Sequence, residues 1–170
     1  MRLRAIERAD WPAVLALNEE SVRELSPIDL ARLEYVLGCA HRAIVAEREG
    51  EVTAFALAMA PASAYDSPNY AWFGERFERF LYLDRIAVAC SHRRRGIGAR
   101  IYDDMEGAAG EFGRVVCDVN LEPRNDASLA FHSARGYREI GRLEHPGKLV
   151  ALMCKELGAG TGRRASDQRR

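Results

Sequence analysis

Two glycines in a basic turn, Arg93-Arg94-Arg95-Gly96-Ile97-Gly98-Ala99, constrain the fold of this chain more than any other feature. The turn lies between an apolar run at residues 81–88 and an amphipathic pattern at residues 97–112. The run predicts a buried strand, and the pattern predicts a helix that packs on a sheet. Glycine lets the backbone approach a ligand closely, and the first N–H groups of a helix lack partners within it. The segment therefore predicts a strand, a loop and a helix whose N-terminus binds a diphosphate.

The three arginines before the turn favour a ligand with several phosphates, because a guanidinium group donates forked hydrogen bonds to phosphate oxygens. Lys+Arg and Asp+Glu are equal at 25 each, so any such site is local and the chain has no overall basic field. No G-x-x-x-x-G-K-[ST] string is present, which excludes the common nucleoside-triphosphatase loop. A dinucleotide fingerprint is incomplete, because Ile101 stands where its third glycine belongs, although Asp118 is spaced like a ribose-binding acid.

Local patterns predict alternating strands and helices in one domain over residues 1–157, with a disordered tail at 158–170. Asp10 before Trp11 and Pro12 predicts the capped start of a first helix, and Glu49-Gly50 predicts a hairpin turn. The other predicted elements are strands at 3–6, 43–46, 52–58, 81–88, 115–119, 137–143 and 149–155, and helices at 30–37, 70–77, 97–112 and 127–134. The apolar content of 48% suits a globular core.

The four cysteines are scattered, with no C-x-x-C pair and no histidine at zinc-ligand spacing, so we expect free thiols and no metal site. The first residues are charged throughout, and no run of 18 apolar residues occurs. We therefore expect a cytoplasmic protein without a membrane partner.

Two motifs in order resemble those of the GNAT superfamily of N-acetyltransferases. Arg93-x-x-Gly96-x-Gly98 is similar to the family's acyl-CoA loop. The second motif, Asn125-x-x-Ser128-x-x-x-His132-x-x-x-Gly136-Tyr137, is similar to the N-x-x-A-x-x-x-Y-x-x-x-G-F signature of its penultimate helix and the strand that follows. The resemblance implies an α+β, three-layer α/β/α fold, in which a mixed, mostly antiparallel sheet of six or seven strands carries helices on both faces.

The resemblance also implies acetyl-CoA as the cofactor and assigns residues to it. The amides of residues 95–99 would bind the diphosphate beside Arg93 and Arg94, and the strand backbone would pair with the pantetheine arm. Residues implied along that arm are Ile86, Ala87, Val88, Asn120, Asn125, Ser128 and Phe131.

Acyl transfer to an amine needs a base for the amine and an acid for the departing thiolate. Asp84 interrupts an apolar strand where related enzymes often place a catalytic acid; its alternative role is an ion pair with Arg85 that organises the core. Asp118 is a second candidate base. His132 stands where the family usually has a tyrosine acid, and it either donates a proton to sulfur or only packs on its helix.

The acceptor pocket is expected in the irregular segment before residue 80, with Asp66, Tyr70 and Trp72 as candidates, although aromatic residues there also suit simple packing. The sequence therefore predicts an N-acetyltransferase for a small-molecule or peptide amine. Three alternatives remain: a noncatalytic acyl-CoA-binding sensor, a dinucleotide-binding domain, and a nucleic-acid-binding domain using the arginines and the basic tail. Balanced charge disfavours the last, so we expect no nucleic-acid partner. A homodimer is left open.

Overall fold

A seven-stranded mixed sheet forms the centre of the protein in the computed structural model, which describes residues 1–158. In chain order, the elements are β1 (Arg2–Ala5), α1 (Trp11–Glu20), α2 (Leu30–Cys39), β2 (Arg42–Arg48), β3 (Glu51–Met59), α3 (Pro68–Gly74), β4 (Leu81–Val88), α4 (Ile97–Ala108), β5 (Arg114–Glu122), α5 (Asp126–Ala134), β6 (Arg138–His145) and β7 (Lys148–Glu156). The strand order across the sheet is β1-β2-β3-β4-β5-β7-β6. The predicted mixed sheet with helices on both faces is thus confirmed.

Strand pairing is antiparallel throughout this sheet except between β4 and β5. These two strands run parallel and pair only from Leu81 opposite Val115 to Leu83 opposite Cys117. Beyond those residues, β4 stays paired with β3 as far as Val88, and β5 stays paired with β7. The sheet is therefore open between its two central strands, and this opening starts at Asp84 and Asp118.

Two hydrophobic cores lie on opposite faces of the sheet, and β3 contributes to both. Large and small residues alternate along β3 and point to opposite faces, as the two-residue period of a strand requires. Phe55, Leu57 and Met59 join the core under α1, α2 and α3, whereas Ala54, Ala56 and Ala58 join the core under α4. The alanines let α4 lie close to the sheet, which brings the N-terminus of α4 to the open end of β4.

Helix α4 buries the predicted stripe, with Ile97, Ile101 and Met105 at 4% exposure or less. It begins at the predicted residue but ends at Ala108, where a short 3₁₀ turn continues to Glu111. The chain then turns at Gly113, whose φ is +77°. The predicted hairpin at Glu49-Gly50 is confirmed, since it joins β2 to β3.

Two local predictions need correction. Asp10 precedes α1 but does not cap it, because its carboxylate binds the Arg4 guanidinium at 2.6 and 2.8 Å and accepts a hydrogen bond from Glu7 N. The aromatic helix of the irregular segment runs over Pro68–Gly74 rather than to residue 77. The predicted disordered tail, residues 158–170, lies outside the described residues except for Gly158. Within the described part of the chain, no helix is long and apolar enough to span a membrane.

Candidate active site

The loop before α4 presents free backbone donors. Gly96 takes φ +78° and precedes the helix, and the first helical hydrogen bond runs from Arg100 N to Gly96 O at 3.1 Å. The N–H groups of residues 97–99 therefore have no partner among residues 1–158. A Cβ built on Gly96 or on Gly98 meets nothing within 4 Å, so open space lies in front of the loop.

Arginines surround these donors. Arg93 folds back, donating to Val88 O at 3.2 Å and to Ser21 Oγ at 3.5 Å. Arg94 and Arg95 are exposed and make no ion pair within the described residues. Arg100, one turn into α4, is exposed as well. Together with the positive end of the helix dipole, these groups make the loop attractive to an anion.

The edge of β4 that faces β5 has no strand partner from Asp84 to Val88. Apart from Val88 O, which accepts from Arg93 Nε, the backbone N–H and C=O groups that point out from that edge are free to pair with an extended ligand, as an added strand would. Ile86, Ala87 and Val88 lie on this stretch, directly before the arginine turn.

Two cavities meet at the opening between β4 and β5. The larger has a volume of about 540 Å³ and is lined by residues of α2, the segment before α3, and the β6–β7 turn. The smaller has a volume of about 90 Å³ and is lined by Ile86 of β4, by Tyr102 of α4 and by residues of α5. Four residues line both cavities: Glu24, Leu25, Asp84 and Asp118.

Asp84 is a buried carboxylate with one free oxygen. Its side chain is 8% exposed, and Oδ1 accepts a hydrogen bond from the Tyr65 hydroxyl at 2.8 Å. Oδ2 lies 3.2 Å from Arg85 Nε, but the two atoms are not aligned for a hydrogen bond and neither has another partner. Burial raises the pKa of Asp84 to about 6, against the lowering effects of Arg85 and Tyr65.

Asp118 occupies the matching position on β5. Its Oδ1 accepts a hydrogen bond from the Tyr82 hydroxyl at 2.7 Å, and Tyr82 itself is 1% exposed. Its charge contributes to the raised pKa of Asp84. The two predicted carboxylates are therefore brought together. Each is the first residue after Leu83 and Cys117, the last pair that joins β4 to β5.

His132 is buried on α5 and both of its ring nitrogens have partners. Nδ1 lies 2.7 Å from the carbonyl oxygen of Ser128 and 3.2 Å from Ser128 Oγ, and Nε2 contacts the Tyr102 hydroxyl. Because a carbonyl only accepts, Nδ1 carries the ring proton and the Tyr102 hydroxyl donates to Nε2. Burial lowers the pKa of His132, so the ring is neutral at pH 7.

The other predicted cofactor residues are placed as follows. Asn120 and Ser128 line the smaller cavity, and so does Asn125, which also caps α5 by accepting from Ser128 N at 3.0 Å. Phe131 packs edge-on against Tyr102 with ring centroids 5.0 Å apart, and it does not line that cavity.

The three predicted acceptor residues do not come together. Asp66 lines the larger cavity and forms a bidentate ion pair with Arg32 at 2.6 and 2.8 Å. The buried Tyr70 hydroxyl donates to Ala60 O instead. Trp72 packs on Gly141 of β6, away from both cavities.

Sequence reasoning missed the aromatic hydroxyls and the segment that completes the site. Tyr65, Tyr82 and Tyr102 reach Asp84, Asp118 and His132 respectively. In the sequence they fall among other apolar residues, where their rings suit a core. Glu24, in the segment between α1 and α2, lines both cavities, and no local pattern marks it.

Comparisons with known proteins agree with this geometry. A family model described as "Acetyltransferase (GNAT) family" matches residues 2–137. A ribosomal-protein-alanine N-acetyltransferase from Brucella melitensis is similar at TM-score 0.70 and 25% identity, covering 92% of this chain and 100% of its own. Ard1 from Thermoplasma volcanium is similar at TM-score 0.74 and 16% identity, covering 92% and 97%. YncA from Salmonella typhimurium, solved with its cofactor acetyl-CoA, is similar at TM-score 0.68 and 19% identity, covering 100% and 96%. No curated protein sequence matches significantly.

Proposed function

The chain belongs to the acetyltransferase (GNAT) family and is an N-acetyltransferase, and on that premise we propose that it acetylates a primary amine by direct attack of the amine on the thioester of acetyl-CoA. The observation that carries this mechanism is the position of Asp84. This carboxylate stands where β4 leaves β5, lines both cavities, and keeps one buried oxygen without a partner.

The residues of the loop and of β4 fit acetyl-CoA. Its diphosphate suits the partnerless N–H groups of residues 97–99, with Arg94, Arg95 and Arg100 around them. The amides of its pantetheine arm suit the unpaired edge of β4 at residues 84–88. The cofactor supplies an activated acetyl thioester. With the arm on that edge, the smaller cavity beside Ile86 is the place for the sulfur.

Asp84 is the proposed general base. With a pKa of about 6 it is mostly ionised at pH 7, yet basic enough to take a proton from an ammonium group in a buried site. The carboxylate accepts this proton; its Oδ1 is bonded to Tyr65, and its buried Oδ2 lies 3.2 Å from Arg85 Nε. Asp118 is the second candidate, and its negative charge favours an ammonium group in the larger cavity.

Proton delivery to the thiolate does not fall to His132. The neutral imidazole directs its only N–H at the Ser128 carbonyl, so it has no proton to give to sulfur. The Tyr102 hydroxyl, beside it in the smaller cavity, donates its own proton to His132 Nε2, and burial raises the pKa of Tyr102 well above its usual range. In the proposed step, the acceptor nitrogen loses its second proton as the amide forms, and this proton passes to the thiolate, so that an S–H bond replaces the broken C–S bond.

The larger cavity indicates the class of acceptor. The larger cavity has room for a small polar amine or for the first residues of a peptide, and charged groups line it, among them Arg32, Asp66 and Lys148. Of the three acceptor residues proposed from sequence, Asp66, Tyr70 and Trp72, only Asp66 lines this cavity. Peptides with an N-terminal alanine are worth including as acceptors, since a similar structure is a ribosomal-protein-alanine N-acetyltransferase.

The test measures free thiol released from acetyl-CoA in the presence of amines, amino acids and peptides with N-terminal alanine, and measures coenzyme A binding by calorimetry. Turnover that falls at least about a hundredfold in Asp84→Asn, with coenzyme A affinity unchanged, supports the proposal. Tight coenzyme A binding without turnover on any acceptor would instead indicate an acyl-CoA sensor. No detectable coenzyme A binding would overturn the proposed site.

A further inference from the structure

The segment between α1 and α2, residues 21–29, crosses the opening between β4 and β5, and we refer to it as the strap. Side chains of both strands hold it, Arg85 from β4 and Asn120 from β5. Its Glu24 and Leu25 line both cavities, and Ser26 and Pro27 line the larger one. The strap is therefore a wall of the acceptor cavity, although it is distant in sequence from the strands.

The strongest anchor of the strap is a buried guanidinium. Arg85 is 6% exposed, and its Nη1 donates to Ser26 O at 2.7 Å and to Asn18 Oδ1 at 2.9 Å. Asn18 is 1% exposed and its Nδ2 donates to the same Ser26 carbonyl at 3.1 Å. Because hydrogen bonds from an ionised donor are shorter and stronger than neutral ones, these contacts hold the strap most firmly at Ser26.

The other anchors are weaker. Asn120 Nδ2 donates to Glu24 O at 3.2 Å and to Arg23 O at 3.4 Å, both from a neutral amide. Arg93 Nη2 reaches Ser21 Oγ at 3.5 Å, the limit for a hydrogen bond. Loss of the Arg85 contacts would therefore loosen the strap at Ser26, where the neutral Asn18 Nδ2 would be the remaining donor to the carbonyl.

The same guanidinium faces the proposed base. Its Nε lies 3.2 Å from Asp84 Oδ2, whereas its contacts with Ser26 and Asn18 come from Nη1. Burying a guanidinium is costly, and a neutral donor would satisfy Ser26 O at lower cost. A cation is needed at this position only because the neighbouring carboxylate is buried as well.

We propose that Arg85 is a positioning residue that fixes the strap as the wall of the acceptor cavity and ties this wall to Asp84. The part that concerns Asp84 rests on the proposed function, whereas the part that concerns the strap does not. Arg85 thus links acceptor binding to the geometry of the base, and its polar contacts, to Asn18, Ser26 and Asp84, do not include the loop before α4.

Hydrogen exchange of the ligand-free protein tests the strap. In Arg85→Met we expect the amides of Glu24 and Leu25, which donate to Ser21 O, to exchange at least about tenfold faster, which corresponds to about 1.4 kcal/mol, while amides of β3 remain as protected as in the wild type. Arg42→Met is the matched control, because Arg42 pairs with Asp104 of α4 and makes no contact with the strap. Unchanged exchange of the strap in Arg85→Met, or equal acceleration in Arg42→Met, would overturn the proposal.

Arg85→Lys separates positioning from charge and serves also if the methionine variant fails to fold. A lysine keeps a cation, but its one nitrogen cannot stand beside Asp84 and also reach Ser26 O and Asn18 Oδ1, as the separate Nε and Nη1 of arginine do. We expect the acceptor KM to rise about tenfold or more, while coenzyme A affinity by calorimetry stays within about twofold and the pH midpoint of turnover stays in place. In Arg85→Met the midpoint should rise by about one pH unit or more.

A parallel loss of coenzyme A affinity would mean that Arg85 only supports the fold. If the wild-type protein is inactive on every acceptor while the strap of Arg85→Met still exchanges faster, the proposed function is refuted and the role of Arg85 as the strap anchor stands.

Discussion

Replacing Tyr65 by phenylalanine should move the pH midpoint of turnover upward. The Tyr65 hydroxyl donates a 2.8 Å hydrogen bond to Asp84 Oδ1. A donor bonded to the ionised carboxylate lowers its pKa, so removing the donor raises it. A hydrogen bond to a charged group contributes roughly 1.5–3 kcal/mol, and 1.36 kcal/mol corresponds to one pKa unit, so the expected shift is about 1–2 units. Starting from a pKa of about 6, the midpoint should move to between about 7 and 8.

The assay is kcat/KM for the acceptor as a function of pH at saturating acetyl-CoA, which reports the ionisation of the enzyme form that meets the acceptor. The same acceptor is used for every variant, so that its own ionisation cancels in the comparison. At pH 6.5 the base is about 75% ionised in the wild type and about 10% ionised in a variant with a midpoint of 7.5. Above about pH 8.5 the two curves should approach each other.

Tyr35→Phe is the matched control, because its hydroxyl donates to Ala64 O at 2.7 Å and its ring lies near Tyr65 without reaching Asp84. Its midpoint should equal that of the wild type. The charged and titratable groups that face Asp84 are Tyr65, Tyr82, Arg85 and Asp118, and all but Tyr65 are unchanged in the variant. A midpoint that stays in place or moves down in Tyr65→Phe would refute Asp84 as the titrating base.

Three further outcomes are expected. Because the pKa of Asp84 is raised by folding, its ionised form destabilises the protein. Between pH 4 and pH 7 the unfolding free energy of Asp84→Asn, from urea melts, should gain about 2 kcal/mol on that of the wild type, and no gain would contradict the raised pKa. Gly96→Asp should weaken coenzyme A binding about tenfold or more in calorimetry, because it adds a negative charge and a side chain at a residue whose φ is +78°. Gly107→Asp is the control, since Gly107 is exposed farther along α4, and it should leave the affinity unchanged. Gly141→Ala should cost about 1–3 kcal/mol of stability in the same melts, because its Cβ would lie 2.5 Å from Trp72, and an unchanged midpoint would argue against that contact.

Most of the fold was accessible from the sequence because its signals are local. The alternation in β3, the stripe on α4 and the hairpin at Glu49-Gly50 each lie within about a dozen residues, and each element forms where the pattern predicts it. The element ends were less accessible, as at α3, because tertiary packing decides where the last turn stops. Asp10 shows the same limit, since the side chain of Arg4 on β1 competes successfully for its carboxylate, and helix-capping patterns do not include this competitor.

The candidate site divides in the same way. The two carboxylates stand out in sequence because charge is unusual within a buried strand, and the turn stands out because two glycines are unusual at the start of a helix. The partners of these groups do not stand out: Tyr65 lies 19 residues before Asp84, and Tyr102 lies 30 residues before His132. Trp72 resembles a pocket residue in sequence, but the absence of a side chain at Gly141 gives it a place on the sheet.

The sequence by itself determined a glycine turn and a helix N-terminus with free backbone donors after a buried strand, because these features depend on neighbours along the chain. Tertiary structure alone decided what surrounds Asp84. The parallel strands β4 and β5 pair for only three residues and then part, and the strap reaches Arg85 across 59 positions of sequence. The pKa of Asp84 and the closure of the acceptor cavity follow from burial and from contacts between distant segments, which no local pattern encodes.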